Sequence, residues 1–153
     1  KAGEARELTA QEANRVREAS DIAQATEFVS KMPKGFQSPI AQGGTNVSGG
    51  QKQRLSIARA VYRDPEILIF DDSFSALDFK TDREVRDALK ETAKDATKLI
   101  VAQRVGTIMD ADCILVLEDG KVVGQGTHRE LLETCEVYQE IAKSQLSEEE
   151  LSA

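Results

Sequence analysis

The stretch that most constrains this chain is Ile67-Leu68-Ile69-Phe70-Asp71-Asp72, a short apolar, largely β-branched run that ends in two carboxylates. A continuously apolar run of this length predicts a strand covered on both faces, as in a parallel sheet. Leu99 to Ala102 repeats the pattern. Between them, Thr81 to about Ala93 sets Val85, Ala88 and Leu89 on one helical face. Strand, helix and strand in that order predict an α/β fold whose parallel strands are covered by helices. Ala111 to Leu117 reads as a third strand. Asp119-Gly120 is a hairpin turn signal that leads into Lys121 to Gly126.

Helices flank this region. Thr9 with Glu12 forms a capping-box pattern, and Ile22, Ala25, Val29 and Met32 recur at helical spacing until Pro33 and Gly35 stop them. A Gly-, Ser- and Pro-rich loop runs from Pro33 to Asn46. Gln51 to Tyr62 reads as a helix with Leu55, Ala58 and Val61 on one face, ended by Asp64-Pro65. Thr127 with Glu130 is another capping box, and Val137, Tyr138, Ile141 and Ala142 mark a last amphipathic helix. Ser147 to Glu150 is acidic and expected to fray.

Charge narrows the function. Twenty Lys and Arg stand against 27 Asp and Glu, a net charge of −7. A surface this acidic disfavours a nucleic-acid partner, which needs a basic face. Cys113 and Cys135 read as reduced thiols rather than a disulfide framework.

Two constellations could carry chemistry. Asn46-Val47-Ser48-Gly49-Gly50-Gln51 lies where a Gly-rich loop becomes a helix. First-turn amides have no partners within the helix, and the macrodipole places roughly half a positive charge there. Two glycines let a phosphate approach those amides closely. The plainer alternative is a capping box between Ser48 and Gln51. Asp71 and Asp72 would sit at the carboxyl edge of the sheet, where open α/β folds bind ligands. Asp71 could hold Mg2+ through water, and Asp72 could orient or deprotonate a water. Alternatively both acids cap the next turn. A receiver domain also has paired strand-end acids, but it would leave the Ser48–Gln51 helix start without a role.

The order of motifs selects among these readings. Ser48-Gly49-Gly50-Gln51, a basic-apolar helix, the strand ending in Asp71-Asp72, and Ser75-Ala76-Leu77-Asp78 follow one another. This resembles the ATP-binding cassette (ABC) ATPases of the P-loop NTPase class. Asn46 to Gln51 is similar to their signature motif, Ile67 to Asp71 to the Walker B strand, and Ser75 to Asp78 to the D-loop. Val101 to Thr107 falls where the family has its switch histidine. The later strands and hairpin are most similar to ABC exporters. The resemblance implies a helical subdomain over 1–64 ending in the signature helix, and the C-terminal part of a RecA-like ATPase core over 65–153. It implies ATP and Mg2+ as cofactors and a second cassette facing the first. Ser48, Gly49, Gly50 and Gln51 would then act on ATP held by that partner. Asp71 would serve Mg2+ on this chain's own side, and Asp78 would cross the interface. The loop from Ser38 to Gly44 lies where exporter cassettes meet their transmembrane domain, at the cytoplasmic face of the membrane.

Three departures from the family pattern matter. No G-x-x-x-x-G-K-[ST] phosphate loop (Walker A) occurs in the 153 residues, so it is expected upstream, and the chain, beginning at Lys1, is read as the C-terminal portion of a cassette. Exposed sheet edges are then expected. Asp72 stands where the family usually has a catalytic Glu, roughly 1.3–1.5 Å shorter in reach. Gln103 stands where His is usual; an amide can bond a phosphate but cannot become an imidazolium. Both changes fall in one site. This implies a degenerate own site beside an intact signature, as in heterodimeric exporters with a different partner subunit. The rival readings are a soluble, non-transport ABC ATPase and a standalone interaction or regulatory module.

Overall fold

The computed structural model describes residues 7–151. It falls into two compact units that divide after Leu99, inside a strand.

In the first unit, α1 (Ala10–Ile22) opens on the expected box: the Glu12 amide donates to Thr9 Oγ1 at 3.2 Å, and the Thr9 amide donates to Glu12 Oε2 at 2.9 Å. The apolar pattern that reads as one continuous helix is broken in the structure. Gln24 turns left-handed at φ +54°, and α2 (Thr26–Ser30) starts afresh. Tertiary contact accounts for the break. Arg54 donates to the Gln24 carbonyl at 2.7 Å, and its guanidinium lies 4.8 Å from the Phe28 ring centroid. No local periodicity encodes a partner thirty residues away. Two single-turn 3-10 segments, Gly35–Gln37 and Gln42–Gly44, follow.

Helix α3 (Gly49–Val61) buries Ile57 and Ala58 and packs on α1. Strand β1 (Ile67–Asp71) leads to α4 (Phe79–Thr92), which buries Val85 and Leu89 and packs on α1. A buried ion pair, Arg86 to Asp82 at 2.9 Å, tightens α4. Strand β2 (Thr97–Val101) pairs with β1, and the Thr97 amide donates to the Glu66 carbonyl at 2.9 Å. The β1-α4-β2 crossover gives the parallel pair expected of an α/β fold.

The expectation of strands covered on both faces is corrected. Leu68 and Phe70 are 3% and 2% exposed, whereas Ile67 and Ile69 are 61% and 65% exposed. Covering both faces takes two layers, and among the described residues one face of β1 has no layer on it. An apolar run reports the need for cover, not which elements supply it.

In the second unit, the one-turn helix α5 (Val105–Ile108) precedes β3 (Ile114–Glu118) and β4 (Lys121–Gly126), which pair antiparallel. The hairpin turns at Asp119 (φ +48°) and Gly120 (φ +74°), the conformation a two-residue turn requires. A register shift at Val116/Leu117 puts a bulge in the ladder. Helices α6 (His128–Thr134) and α7 (Glu136–Gln145) close the core of Val105, Ile114, Val116, Leu131, Tyr138 and Ala142. Gly124 permits the close approach of α6, because a Cβ there would lie 2.7 Å from Cys135 Sγ. His128 is half-buried, its Nδ1 2.8 Å from the Tyr138 hydroxyl. The acidic end expected to fray forms one turn, α8 (Glu148–Leu151). Cys113 and Cys135 are both free.

Candidate functional site

Ser48 caps α3. The Gln51 amide donates to Ser48 Oγ at 3.2 Å, and the Ser48 amide donates to Gln51 Oε1 at 2.9 Å. The box expected as the plainer alternative is therefore formed. It uses the Gln51 amide and leaves those of Gly49 and Gly50 outside it. Ser48 and Gly49 are exposed, so the tip is open to an incoming anion. Capping and anion binding are compatible here, since each helix start offers several unpartnered amides.

Asp71 ends β1 with its side chain exposed, and Ser73 Oγ donates to its carbonyl at 3.3 Å. Asp72 is left-handed at φ +49°, a conformation tolerated by Asp but uncommon outside Gly and Asn. Ser75 Oγ lies 3.0 Å from Asp72 Oδ2 and donates to the Asp72 carbonyl at 3.1 Å. Asp78 is the N-cap of α4. Its Oδ1 accepts from the Thr81 amide at 2.9 Å, and its Oδ2 accepts from Thr81 Oγ1 at 2.8 Å. The backbone bond from Thr81, then its hydroxyl, hold the Asp78 carboxyl below its ordinary pKa. In this chain both oxygens of Asp78 are engaged within its own helix.

The first unit thus brings Ser48–Gln51 next to the loop that carries Asp72 to Asp78. A Cβ added at Gly49 would lie 3.6 Å from the Ala76 Cβ, and one added at Gly50 would come within 2.9 Å of the Ala76 carbonyl oxygen. Gln53 completes the join. Its Nε2 donates to the Asp72 carbonyl and to Ser75 Oγ, both at 3.0 Å, and its Oε1 accepts from the Ala76 amide at 2.9 Å. Sequence reasoning missed Gln53, because a glutamine on a helix reads as an ordinary polar position.

Gln103 belongs to the second unit and is exposed. Gln145, from α7, donates through Nε2 to the Gln103 carbonyl at 2.9 Å and accepts from the Val105 amide at 2.9 Å. The side chain of Gln103 is left outside this clasp. Gln145 too gave no sequence signal.

Upstream of the tip, Asn46 staples the loop. Its Oδ1 accepts from the Ala41 amide at 2.9 Å, and its Nδ2 donates to the Pro39 carbonyl at 3.0 Å. Lys52 Nζ donates to the Gly43 carbonyl at 2.7 Å. The loop borders a groove of 690 Å³ lined by Val29, Met32, Phe36, Ile40, Val47 and Leu55.

The residues fit a nucleotide only in part. The glycine tip suits a phosphate. No group of three or more His, Cys, Asp or Glu able to hold a metal occurs among the described residues. One or two carboxylates beside phosphates and water is the arrangement Mg2+ ordinarily takes, so Asp71 is compatible with it.

Known proteins define the class. Residues 3–75 match the ABC transporter family. The chain carries part of an ABC transporter ATP-binding domain and is homologous to the ATP-binding proteins of ABC exporters. It is 50% identical over 128 residues to an uncharacterized ABC transporter ATP-binding protein of Mycobacterium bovis, covering 84% of this chain and 22% of that protein. It is 43% identical over 133 residues to an ATP-dependent lipid A-core flippase of Vibrio vulnificus, covering 87% of this chain and 23% of the flippase. The fold matches a bacterial Atm1-family ABC exporter with ATP bound at a TM-score of 0.84 and 35% identity, over 89% of this chain and 24% of the exporter. The chain therefore spans less than a quarter of the length of these relatives.

Proposed function

We propose that this chain is the C-terminal part of the ATPase domain of an ABC exporter, coupling ATP binding and hydrolysis to transport across a membrane. In this reading it lies at the cytoplasmic face and works with a second half-transporter, a different subunit. Its signature tip, Ser48–Gln51, completes the partner's ATP site, while its own site is degenerate.

The observation that supports this is an exposed, capped glycine tip beside a weakened acid. The amides of Gly49 and Gly50 would bind the terminal phosphate of the partner's ATP, aided by the Ser48 hydroxyl and the helix dipole. Asp71 would hold Mg2+ on the chain's own side. Bound Mg2+ would supply charge neutralisation at the phosphates. Asp72, the shorter acid, would orient water poorly, since about 1 Å of misplacement costs on the order of 100-fold in rate. Gln103 would bond a phosphate without charging. Asp78 would reach the interface between cassettes. The stapled loop from Ser38 to Gly44 and the apolar groove beside it offer a seat for a loop of the transmembrane domain. The helical part, 1–64, would carry the tip, and 65–153 the ATPase core.

The test uses the full transporter. Ser48→Arg is expected to abolish ATP turnover, and Asp72→Ala to lower it modestly. If turnover survives Ser48→Arg while Asp72→Ala abolishes it, the assignment of the two sites is reversed. The chain by itself, lacking a phosphate loop, is expected to bind ATP negligibly; saturable micromolar binding in a titration with Mg2+ counts against this.

A further inference from the structure

Helix α3 meets the acid-bearing loop at two places. At Gly50 the loop approaches so closely that a Cβ would lie 2.9 Å from the Ala76 carbonyl oxygen. One turn further on, the Gln53 amide spans Asp72, Ser75 and Ala76 with three hydrogen bonds of 2.9–3.0 Å. Two of these go to main chain, at the Asp72 carbonyl and the Ala76 amide, so they fix the path of the loop itself. This matters at Asp72, whose left-handed backbone (φ +49°) is gripped at its carbonyl both locally, by Ser75 Oγ, and from α3, by Gln53 Nε2. Gln53 is also on the same rigid helix as Ser48 and Gly49. A helix transmits a displacement of its tip to a residue one turn away almost unchanged.

We propose that Gln53 is a positioning residue that couples the two ATP-facing elements of this chain. It makes the signature tip and the strand-end loop bearing Asp72 move as one body. The proposal rests on the reading that the tip faces a partner's ATP and Asp72 faces the chain's own. On that reading the Gln53 clamp joins one composite site to the other, and the state of one site sets the position of the tip in the other. Ser75 and Ala76, which the clamp grips, lead directly into Leu77 and the α4 cap at Asp78, so the start of α4 follows the same motion.

The experiment uses the full-length transporter with its partner in lipid nanodiscs. Gln53→Met keeps side-chain length and removes all three bonds; Gln53→Glu keeps the acceptor for the Ala76 amide and loses both donated bonds. Gln53→Met is expected to lower kcat for ATP about tenfold with KM within about twofold, and Gln53→Glu to fall between it and the wild type. In a double-mutant cycle, the effect of Asp72→Asn on turnover is expected to shrink once Gln53 is Met. A residue that merely stabilises the fold lowers activity with the folded fraction and leaves the Asp72 effect additive. Wild-type kcat in Gln53→Met, or strict additivity with Asp72→Asn, overturns the proposal. Should Gln53→Met fail to fold, the same cycle with Gln53→Glu decides by the same criteria. Ser48→Arg runs alongside: wild-type turnover there overturns the underlying assignment of the tip, whereas loss of turnover there with an unaltered Gln53→Met overturns the coupling alone.

Discussion

At the scale of single residues, the two glycines of the tip separate structure from function. A Cβ at Gly49 would meet the Ala76 Cβ at 3.6 Å, an ordinary contact, while at Gly50 it would meet the Ala76 carbonyl at 2.9 Å. Gly50→Ala is therefore expected to destabilise by about 1–3 kcal/mol through overpacking. Gly49→Ala is expected to leave the unfolding temperature nearly unchanged and still lower ATP turnover in the transporter, because the added methyl narrows access to the amides. Thermal unfolding and ATPase assays on both variants check this; a stable, fully active Gly49→Ala contradicts a phosphate-gripping tip. Asp78 makes a pH prediction. Its carboxyl is held low by the Thr81 amide and hydroxyl. A group whose folded pKa lies below its unfolded value stabilises fully above the unfolded pKa, and loses that contribution as pH falls through the folded one. Asp78→Asn keeps a capping oxygen without the charge. It is expected to flatten the acid side of the stability profile, below the ordinary carboxylate range, and to change little near neutrality. Unfolding followed between pH 7 and about pH 3 would show it.

At the scale of elements, local chemistry was read well and long-range contact poorly. The three Thr/Ser capping boxes, at Thr9, Ser48 and Thr127, and the Asp119-Gly120 turn were legible because each is decided within four residues. The break at Gln24 was not, since Arg54 supplies its cause from another helix. The burial of β1 was half legible. Phe70→Ala is expected to cost about 3–5 kcal/mol, and the exposed Ile69→Thr about 0.5 kcal/mol or less. Denaturant unfolding of both variants measures the contrast, and equal losses would mean that the bare face is covered in solution. The Gln145 clasp on the 103–105 turn gives a parallel case in the second unit: Gln145→Ala leaves the Val105 amide without its acceptor and is expected to speed hydrogen exchange there.

At the scale of the whole molecule, apolar side chains stand out on strand faces in each unit. Ile67, Ile69 and Leu99 are more than half exposed in the first, as are Leu115, Leu117 and Val122 in the second. Such faces associate when nothing covers them. The 153-residue chain alone is expected to self-associate with rising concentration in sedimentation experiments, and Ile69→Lys to reduce this. No helix among the described residues is long and apolar enough to cross a membrane. The sequence by itself determined the class of fold, the caps, the hairpin and the order of the Ser48–Gln51 helix start and the strand-end acids, because those depend on residue type over short spans. Only the tertiary structure decided that Gln53 ties the tip to Asp72, that Arg54 meets the turn at Gln24, and that one face of β1 is bare. Each depends on which distant atoms arrive within about 3 Å, and hydrogen-bond geometry of that kind leaves no trace in periodicity or composition.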